Sequence, residues 1–135
     1  MAYTATMFYA GLLGLVLLAL SARVVRLRRS LKVGIGSGGH EALDRAMRTQ
    51  ANFAEYVPLA LLLLLLVESA TAASPWVAHV LGSALLVGRV LHGFAGLNLD
   101  SGYSFGRFWG TLLTWLTMAA TALMLVAIAV GRWVL

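Results

Sequence analysis

The stretch RTQANFAEYVPLALLLLLLVE, residues 48–68, joins a polar segment to a run that is almost pure leucine. Residues 56–67 carry no charge, but a run of that length is too short to cross a bilayer, which needs about 20 apolar residues. The run reaches spanning length only if its helix continues backward through Glu55, Asn52 and Arg48. These polar residues are therefore expected inside a membrane or at its edge.

The composition of the whole chain also indicates a membrane protein. Of its 135 residues, 61% are hydrophobic and 11% are charged, whereas about a quarter of a soluble domain is charged. Uncharged stretches cover residues 1–22, 56–67, 69–88 and 108–131. Because a backbone exposed to lipid must satisfy its own hydrogen bonds, the chain is predicted to be an all-α integral membrane protein. We expect one domain over 1–135, a bundle of four transmembrane helices near 3–27, 41–69, 75–96 and 105–132.

The distribution of basic residues predicts the orientation of this bundle. Seven of the ten Lys and Arg residues lie from position 23 to position 48, namely Arg23, Arg26, Arg28, Arg29, Lys32, Arg45 and Arg48. The positive-inside rule then places the first loop in the cytoplasm and both termini outside. The first helix is not expected to be a cleavable signal peptide, because its basic residues follow the apolar run. The net charge of +5 is attributed to topology and lipid contact, and no nucleic-acid partner is predicted.

Two classes of site are disfavoured by the sequence. The chain has no cysteine, so any thiol chemistry would need the thiol of a ligand. The spacing of His40, Glu41 and Asp44 matches no recognised metal-binding motif. The segment GIGSGG, residues 34–39, matches a dinucleotide-binding pattern literally. That pattern requires a preceding strand in a βαβ unit, so a loop is predicted here instead.

One face of the second helix carries the densest group of polar side chains. At 100° per residue, five of them fall within about 100° of one another, namely Arg45, Arg48, Asn52, Glu55 and Tyr56. Ionisable residues inside a membrane indicate function by default. The alternative is an ion pair of Arg48, with Glu55 or with another helix, that only stabilises packing. Such a pair would not require Asn52 and Tyr56 beside it.

The third and fourth helices add further candidates. Arg89 and His92 share a face near the inner end of the third helix; the alternatives are snorkelling for Arg89 and a packing role for His92.

Arg107 begins the fourth helix after Ser104, a predicted N-cap. A helix N-terminus together with a guanidinium favours an anion or a thiolate, and the alternative is an interfacial anchor. Gly106 and Gly110 form a GxxxG pair that predicts close helix packing.

The segment RTQANFAEYVP, residues 48–58, resembles the second-helix signature of the MAPEG family, membrane-associated proteins in eicosanoid and glutathione metabolism. The resemblance extends over essentially the whole chain and is nearest to small bacterial members. It implies a homotrimer that binds glutathione, as co-substrate, between subunits near the cytoplasmic side. It also implies a bacterial inner membrane location.

The resemblance implies roles for individual residues. Arg107 would stabilise the glutathione thiolate as the catalytic residue. The glutathione-binding set would be Arg28 (or its neighbour Arg29), Arg48, Gln50, Asn52, Glu55, Tyr56, Arg89 and His92. Gly96 stands where several relatives carry a tyrosine.

The functional hypothesis is a glutathione-dependent membrane transferase or peroxidase. Its lipophilic substrate, an electrophile or a hydroperoxide, would enter from the lipid. The alternative is a non-catalytic membrane protein that binds glutathione or lipid. A small transporter is less favoured, because the polar residues concentrate near one side of the membrane.

Overall fold

The computed structural model describes residues 3–71, 75–99 and 102–134, and helices dominate all three ranges. The helices are α1 (Thr4–Leu31), α2 (Glu41–Ala70), α3 (Pro75–His92) and α4 (Phe105–Val134). In the described part of the chain, all four are long and apolar enough to cross a membrane, with α3 counted together with the turn that extends it. The prediction of an all-α membrane bundle is confirmed. Residues 72–74, in the predicted turn between the second and third helices, lie outside the described ranges.

Helix α1 extends four residues beyond the predicted end at position 27, because arginine and leucine favour helix even outside the apolar run. It ends at Lys32, whose backbone is left-handed (φ 56°) and whose N–H donates to the carbonyls of Arg28 and Arg29. The GIGSGG segment follows as a loop, as predicted. Gly36, Gly38 and Gly39 have φ of 65°, 58° and 81°.

Helix α3 reaches the predicted end but changes its winding on the way. A π-helical turn, Gly93–Leu97, replaces the last α-helical turn, and Gly96 departs from helical geometry at φ −123° and ψ −113°. The side-chain amide of Asn98 donates to the Gly93 carbonyl at 2.8 Å, and an Arg23 guanidinium N–H donates to the Asn98 carbonyl at 3.4 Å. Turns of this type are frequent at functional sites.

The buried core lies in three layers along the bundle. The central layer contains Leu13, Leu20, Phe53, Val57 and Leu85, with Ala60 beside them. A second layer, around Ala5, Tyr9, Leu64 and Ala78, closes the end that contains the α1 N-terminus. A third layer, around Val24, Leu43 and Ala46, closes the end near the basic loop. Each layer joins residues far apart in the sequence, so burial of these side chains holds the helices together.

Glycines allow α3 and α4 to cross at very short range. A Cβ atom at Gly110 would lie 2.6 Å from the backbone nitrogen of His92, and one at Gly106 would collide with the Ala95 carbonyl. Gly88 and Gly96 face them, and a Cβ atom at either position would have atoms of α4 within 3.1 Å. The GxxxG prediction therefore identified a contact between the backbones of two helices, and this contact brings the start of α4 against the end of α3.

A carboxylate from α2 caps the start of α1. Glu68 accepts the backbone N–H groups of Ala5 and Thr6 at 3.0 Å and 2.8 Å. Helix α1 has no side-chain cap of its own, and unpaired amides are costly in an apolar environment. The sequence reasoning did not single out Glu68, because its partner is 62 residues away.

We expect Gly110→Ala to lower the free energy of unfolding by about 1–3 kcal/mol, since the added methyl group must displace backbone atoms of α3. The measurement is equilibrium unfolding in mixed micelles with increasing SDS, followed by circular dichroism. Gly14→Ala is the matched control, because nothing lies within 4 Å of a Cβ at that helical glycine. A Gly110→Ala protein as stable as Gly14→Ala would contradict the close-contact assignment.

Candidate functional site

A polar cavity of about 380 Å³ opens beside α2 at the end of the bundle near the basic loop. Arg45, Arg48, Asn52 and Tyr56 of α2 line it. These residues recur at intervals of three or four, so a single side of the helix faces the cavity. The helical spacing predicted this face with Glu55 included, and Glu55 does not line the cavity.

Two other helices complete the walls of the cavity. His92 and Leu97 come from α3 and its π-turn, and Arg107, Thr111 and Trp115 come from α4 at four-residue steps. The close crossing at Gly106 and Gly110 is what brings these segments together. Of the predicted site residues, the cavity therefore gathers Arg48, Asn52, Tyr56, His92 and Arg107.

Arg89 lies behind this cavity and is almost completely buried, with 1% of its surface exposed. Its Nη2 donates to Asn52 Oδ1 at 2.8 Å, and its Nη1 makes a long contact of 3.5 Å with Thr114 Oγ1. The guanidinium also lies 5.4 Å from the ring centre of Phe53 and 6.0 Å from that of Tyr56. Arg89 therefore orients two cavity residues, Asn52 and Tyr56, and connects α2, α3 and α4.

The electrostatic character of the cavity is strongly positive. Arg45, Arg48 and Arg107 line it, Asp44 is the carboxylate among its lining residues, and Arg89 adds a buried positive charge behind the wall. Arg45 forms an ion pair with Glu41 one turn earlier. Within the described ranges no carboxylate forms an ion pair with Arg89. The arrangement is suited to an anionic ligand, which several guanidiniums could bind through charge-assisted hydrogen bonds.

Arg107 is positioned by the turn that starts α4. Its backbone N–H donates to Ser104 Oγ at 3.3 Å, which confirms Ser104 as the N-cap. Its guanidinium Nη1 donates to the Gly102 carbonyl at 3.2 Å while the side chain lines the cavity. The positive end of the α4 dipole and the Arg107 guanidinium are thus adjacent, and both favour a negative charge at this position.

His92 is the most enclosed polar residue of the cavity wall. It is 3% exposed, and its Nδ1 has no hydrogen-bond partner among the described residues. A buried imidazole nitrogen without a partner is costly. His92 therefore brings an unsatisfied buried polar atom to the residue set that lines the cavity.

Three predicted ligand residues lie elsewhere in the chain. Gln50 donates to Ser21 Oγ on α1 at 2.8 Å. Glu55 is exposed on α2 and does not line the cavity. Arg28 donates to the carbonyls of Gly34 and Gly36, at 3.2 Å and 3.0 Å, and so binds the loop after α1. Its neighbour Arg29 is exposed.

Several cavity residues were missed by sequence reasoning. They are Asp44, Leu97, Thr111 and Trp115. The positions of Thr111 and Trp115, four and eight residues after Arg107, are a signal that could have identified them. No local signal could have identified Leu97, since the π-turn places it.

An apolar groove of about 440 Å³ adjoins the polar cavity along the outer side of α4. Tyr103, Phe108 and Leu112 line it, and it shares Arg107, Thr111 and Trp115 with the cavity. Arg107 therefore lies at the boundary between a polar space and an apolar one.

Asn52→Leu is expected to lower the free energy of unfolding by about 1–3 kcal/mol, because the buried Arg89 loses its 2.8 Å acceptor. Adding Arg89→Met should recover part of this loss, since an apolar side chain of similar length needs no acceptor. SDS unfolding of the single and double variants gives the coupling energy. Arg26→Met, at an exposed arginine, is the control and should change stability by less than about 0.5 kcal/mol. Strictly additive effects of the two changes would show that Arg89 and Asn52 do not stabilise each other.

Comparison with known proteins places this architecture in a family. The MAPEG family model matches residues 6–127. The inner membrane protein YecN of Escherichia coli strain K12 is 42% identical over 84 residues, which is 62% of this chain and 63% of the relative. The protein of the same name from E. coli strain CFT073 gives the same values. The aligned stretch thus spans less than two thirds of the relatives' length. The family match covers most of each of the four helices and every residue that lines the polar cavity, and the chain belongs to the MAPEG family.

Proposed function

We propose that the protein binds glutathione in the polar cavity and uses its thiolate against a lipophilic electrophile or a lipid hydroperoxide. One observation carries this proposal: Arg45, Arg48 and Arg107 converge on a cavity that is backed by the buried Arg89. The cavity volume of about 380 Å³ is within the range of small-molecule sites, roughly 300–1,000 Å³.

The charges of glutathione are complementary to those of the cavity. Its two carboxylates would bind to guanidiniums, for which bidentate hydrogen bonds are available. Its ammonium requires a carboxylate. Asp44 lines the cavity of the same subunit, and Glu55, the residue that the family resemblance assigns to the ligand, is exposed beside it on α2.

Arg107 would favour the thiolate, which is the reactive form of the thiol. Because it borders both the polar cavity and the apolar groove, a sulfur near it would meet a substrate lying in the groove. In conjugation, sulfur bonds to the electrophilic carbon and a leaving group departs or a proton is taken up. In peroxide reduction, two glutathione molecules become a disulfide while the hydroperoxide yields an alcohol and water.

A homotrimer would account for the position of Glu55. On α2, this exposed carboxylate is followed by Leu59, Leu62 and Leu66, all about half exposed. These positions repeat at three or four residues and form a face suited to another helix. A charge on such a face needs a partner inside a membrane, and a neighbouring subunit would provide one while bringing Glu55 to a shared ligand site.

The proposed orientation would place the polar cavity on the side of the membrane where glutathione is found. The relatives are named inner membrane proteins, which supports an inner membrane for this chain. The cavity lies at the basic-loop end, where Arg28 contacts Met47 of α2. With the basic loop in the cytoplasm and both termini outside, the cavity would face the cytoplasm, where glutathione keeps thiols reduced.

Glutathione is expected to bind saturably to the detergent-purified protein in calorimetric titration. An Arg48→Ala, Glu55→Ala double variant should lose this binding, because it removes a guanidinium and a carboxylate of the site. Arg26→Ala, which removes an exposed arginine away from the cavity, should retain it. The absence of binding to the parent protein in several detergents would refute glutathione as the ligand.

Arg107→Ala should retain glutathione binding but lower turnover by about 100-fold, the scale observed when one group that stabilises developing charge is removed. Turnover is measured with an aryl halide and with a lipid hydroperoxide, and ultraviolet absorbance reports the bound thiolate. Arg107→Lys preserves the charge and should retain part of both signals. Binding without turnover in the parent protein would support a non-catalytic binding function instead.

A further inference from the structure

The last turns of α1 carry positive charges that the polar cavity does not use. Arg26, Arg29 and Lys32 are exposed and recur at three-residue steps. The Nε of Arg26 donates to the Ala22 carbonyl at 3.3 Å, one turn earlier on the same helix. Within the described ranges, the side chains of Arg29 and Lys32 form no hydrogen bond or ion pair. These three residues form the basic patch.

The length of α1 places the basic patch at the level of lipid headgroups. The apolar part of the helix, residues 4–22, is about 28 Å long at 1.5 Å per residue, close to the hydrocarbon thickness of about 30 Å. Arg26 then lies about 6 Å beyond Ala22 and Arg29 about 10 Å beyond it. The headgroup layer on each side is about 5–8 Å thick, so Arg26 lies within it. Arg29 and Lys32 lie past it, and their long side chains extend back toward the phosphates.

The loop after α1 is shaped so that an apolar side chain projects beside the patch. Arg28 binds this loop by donating to the carbonyls of Gly34 and Gly36, and its Nη2 contacts Met47 Sδ at 3.3 Å. Its charge is therefore directed toward the protein and not outward. Ile35, between the two glycines, is 91% exposed. An exposed aliphatic residue among basic residues is typical of a segment that inserts at a membrane interface.

Among the described residues, the carboxylates nearest in the sequence do not neutralise the basic patch. From position 23 to position 48 the acidic residues are Glu41 and Asp44. Glu41 pairs with Arg45, and Asp44 lines the polar cavity. The patch therefore attracts anions located outside the protein, and those at its level in the membrane are lipid phosphates.

We propose that Arg26, Arg29 and Lys32 form a binding site for the headgroup phosphates of anionic phospholipids, with Ile35 inserted beside them. Arginine binds phosphate through paired hydrogen bonds, and lysine adds a charge that adapts to different positions of the headgroup. Arg26 and Arg29 are separated by about 4.5 Å along the helix axis and by about 60° around it, and Lys32 follows them at the C-cap. Three charges spread in this way fit several headgroups, or one lipid with more than one phosphate, better than a single isolated anion.

This proposal goes beyond the general orienting effect of basic loops. A basic loop that only determines insertion leaves the purified, folded protein with no preference among lipids. A binding site makes the folded protein retain anionic lipids selectively. The two cases differ in a binding measurement that involves no glutathione, so the lipid proposal can fail without affecting the proposed function.

The experiment titrates phosphatidylglycerol and phosphatidylcholine separately into the protein in a neutral detergent, with native mass spectrometry counting the bound lipids. We expect selective, salt-sensitive binding of phosphatidylglycerol. Arg26→Gln, Arg29→Gln, Lys32→Gln should weaken it by about 100-fold, since each basic residue near an anionic surface contributes a factor of about five. Ile35→Ser should weaken it less. Arg132→Gln, at an exposed arginine near the end of α4, should leave it unchanged.

Several results would overturn the proposal. One is equal binding of the two lipids by the parent protein, and another is phosphatidylglycerol binding that resists high salt. A third is full displacement by an equal concentration of inorganic phosphate, which would indicate a free-anion site. If the triple variant fails to fold by circular dichroism, Arg26→Lys, Arg29→Lys tests the same site. It should still prefer phosphatidylglycerol but bind it more weakly than the parent, because lysine lacks the paired hydrogen bonds, and unchanged affinity would overturn the proposal.

Discussion

The hydrogen bond from the buried Arg89 to Asn52 determines how the membrane helices can be arranged. A guanidinium inside an apolar bundle is costly unless its donors have acceptors. Arg89 obtains an amide oxygen from α2, a long contact with a hydroxyl of α4 and two aromatic faces from α2, while its Nε has no partner among the described residues. Because these partners come from two helices besides its own, the charge can be buried only when the three helices are correctly assembled. The same contacts orient the wall of the polar cavity.

The crossing of α3 and α4 supplies the second half of the site. At Gly106 and Gly110 the two backbones approach so closely that any side chain would be excluded. The π-turn at Gly93–Leu97 then directs the chain into the turn that starts α4, where Ser104 caps the helix. Arg107 consequently faces the polar residues of α2 across the cavity and also reaches the apolar groove. Assembly and site geometry thus depend on the same contacts.

Much of the fold could be predicted because each feature has a local cause. The apolar lengths determine four helices, and α2 occupies Glu41–Ala70 where 41–69 was expected. The helical spacing put Arg45, Arg48, Asn52, Glu55 and Tyr56 on one face, and all of them except Glu55 line the cavity. The end of α1 was predicted too early, since the loss of apolar character was interpreted as the end of the helix. The role of Glu68 as the cap of α1 and the support of Asn52 by Arg89 depend on contacts between helices, which no local pattern reports.

The sequence by itself determined the class of this protein, its four spans, the polar face of α2 and the family to which it belongs. Hydrophobic length, helical period and signature residues are properties of adjacent positions, so a linear chain displays them directly. Only the tertiary structure decided that Arg28 binds the loop after α1 and that Gln50 binds Ser21. It also decided that Thr111 and Trp115 line both the polar cavity and the apolar groove. Those outcomes depend on which helix faces meet, and burial, close glycine contacts and satisfaction of buried polar groups act together across the whole bundle to select them.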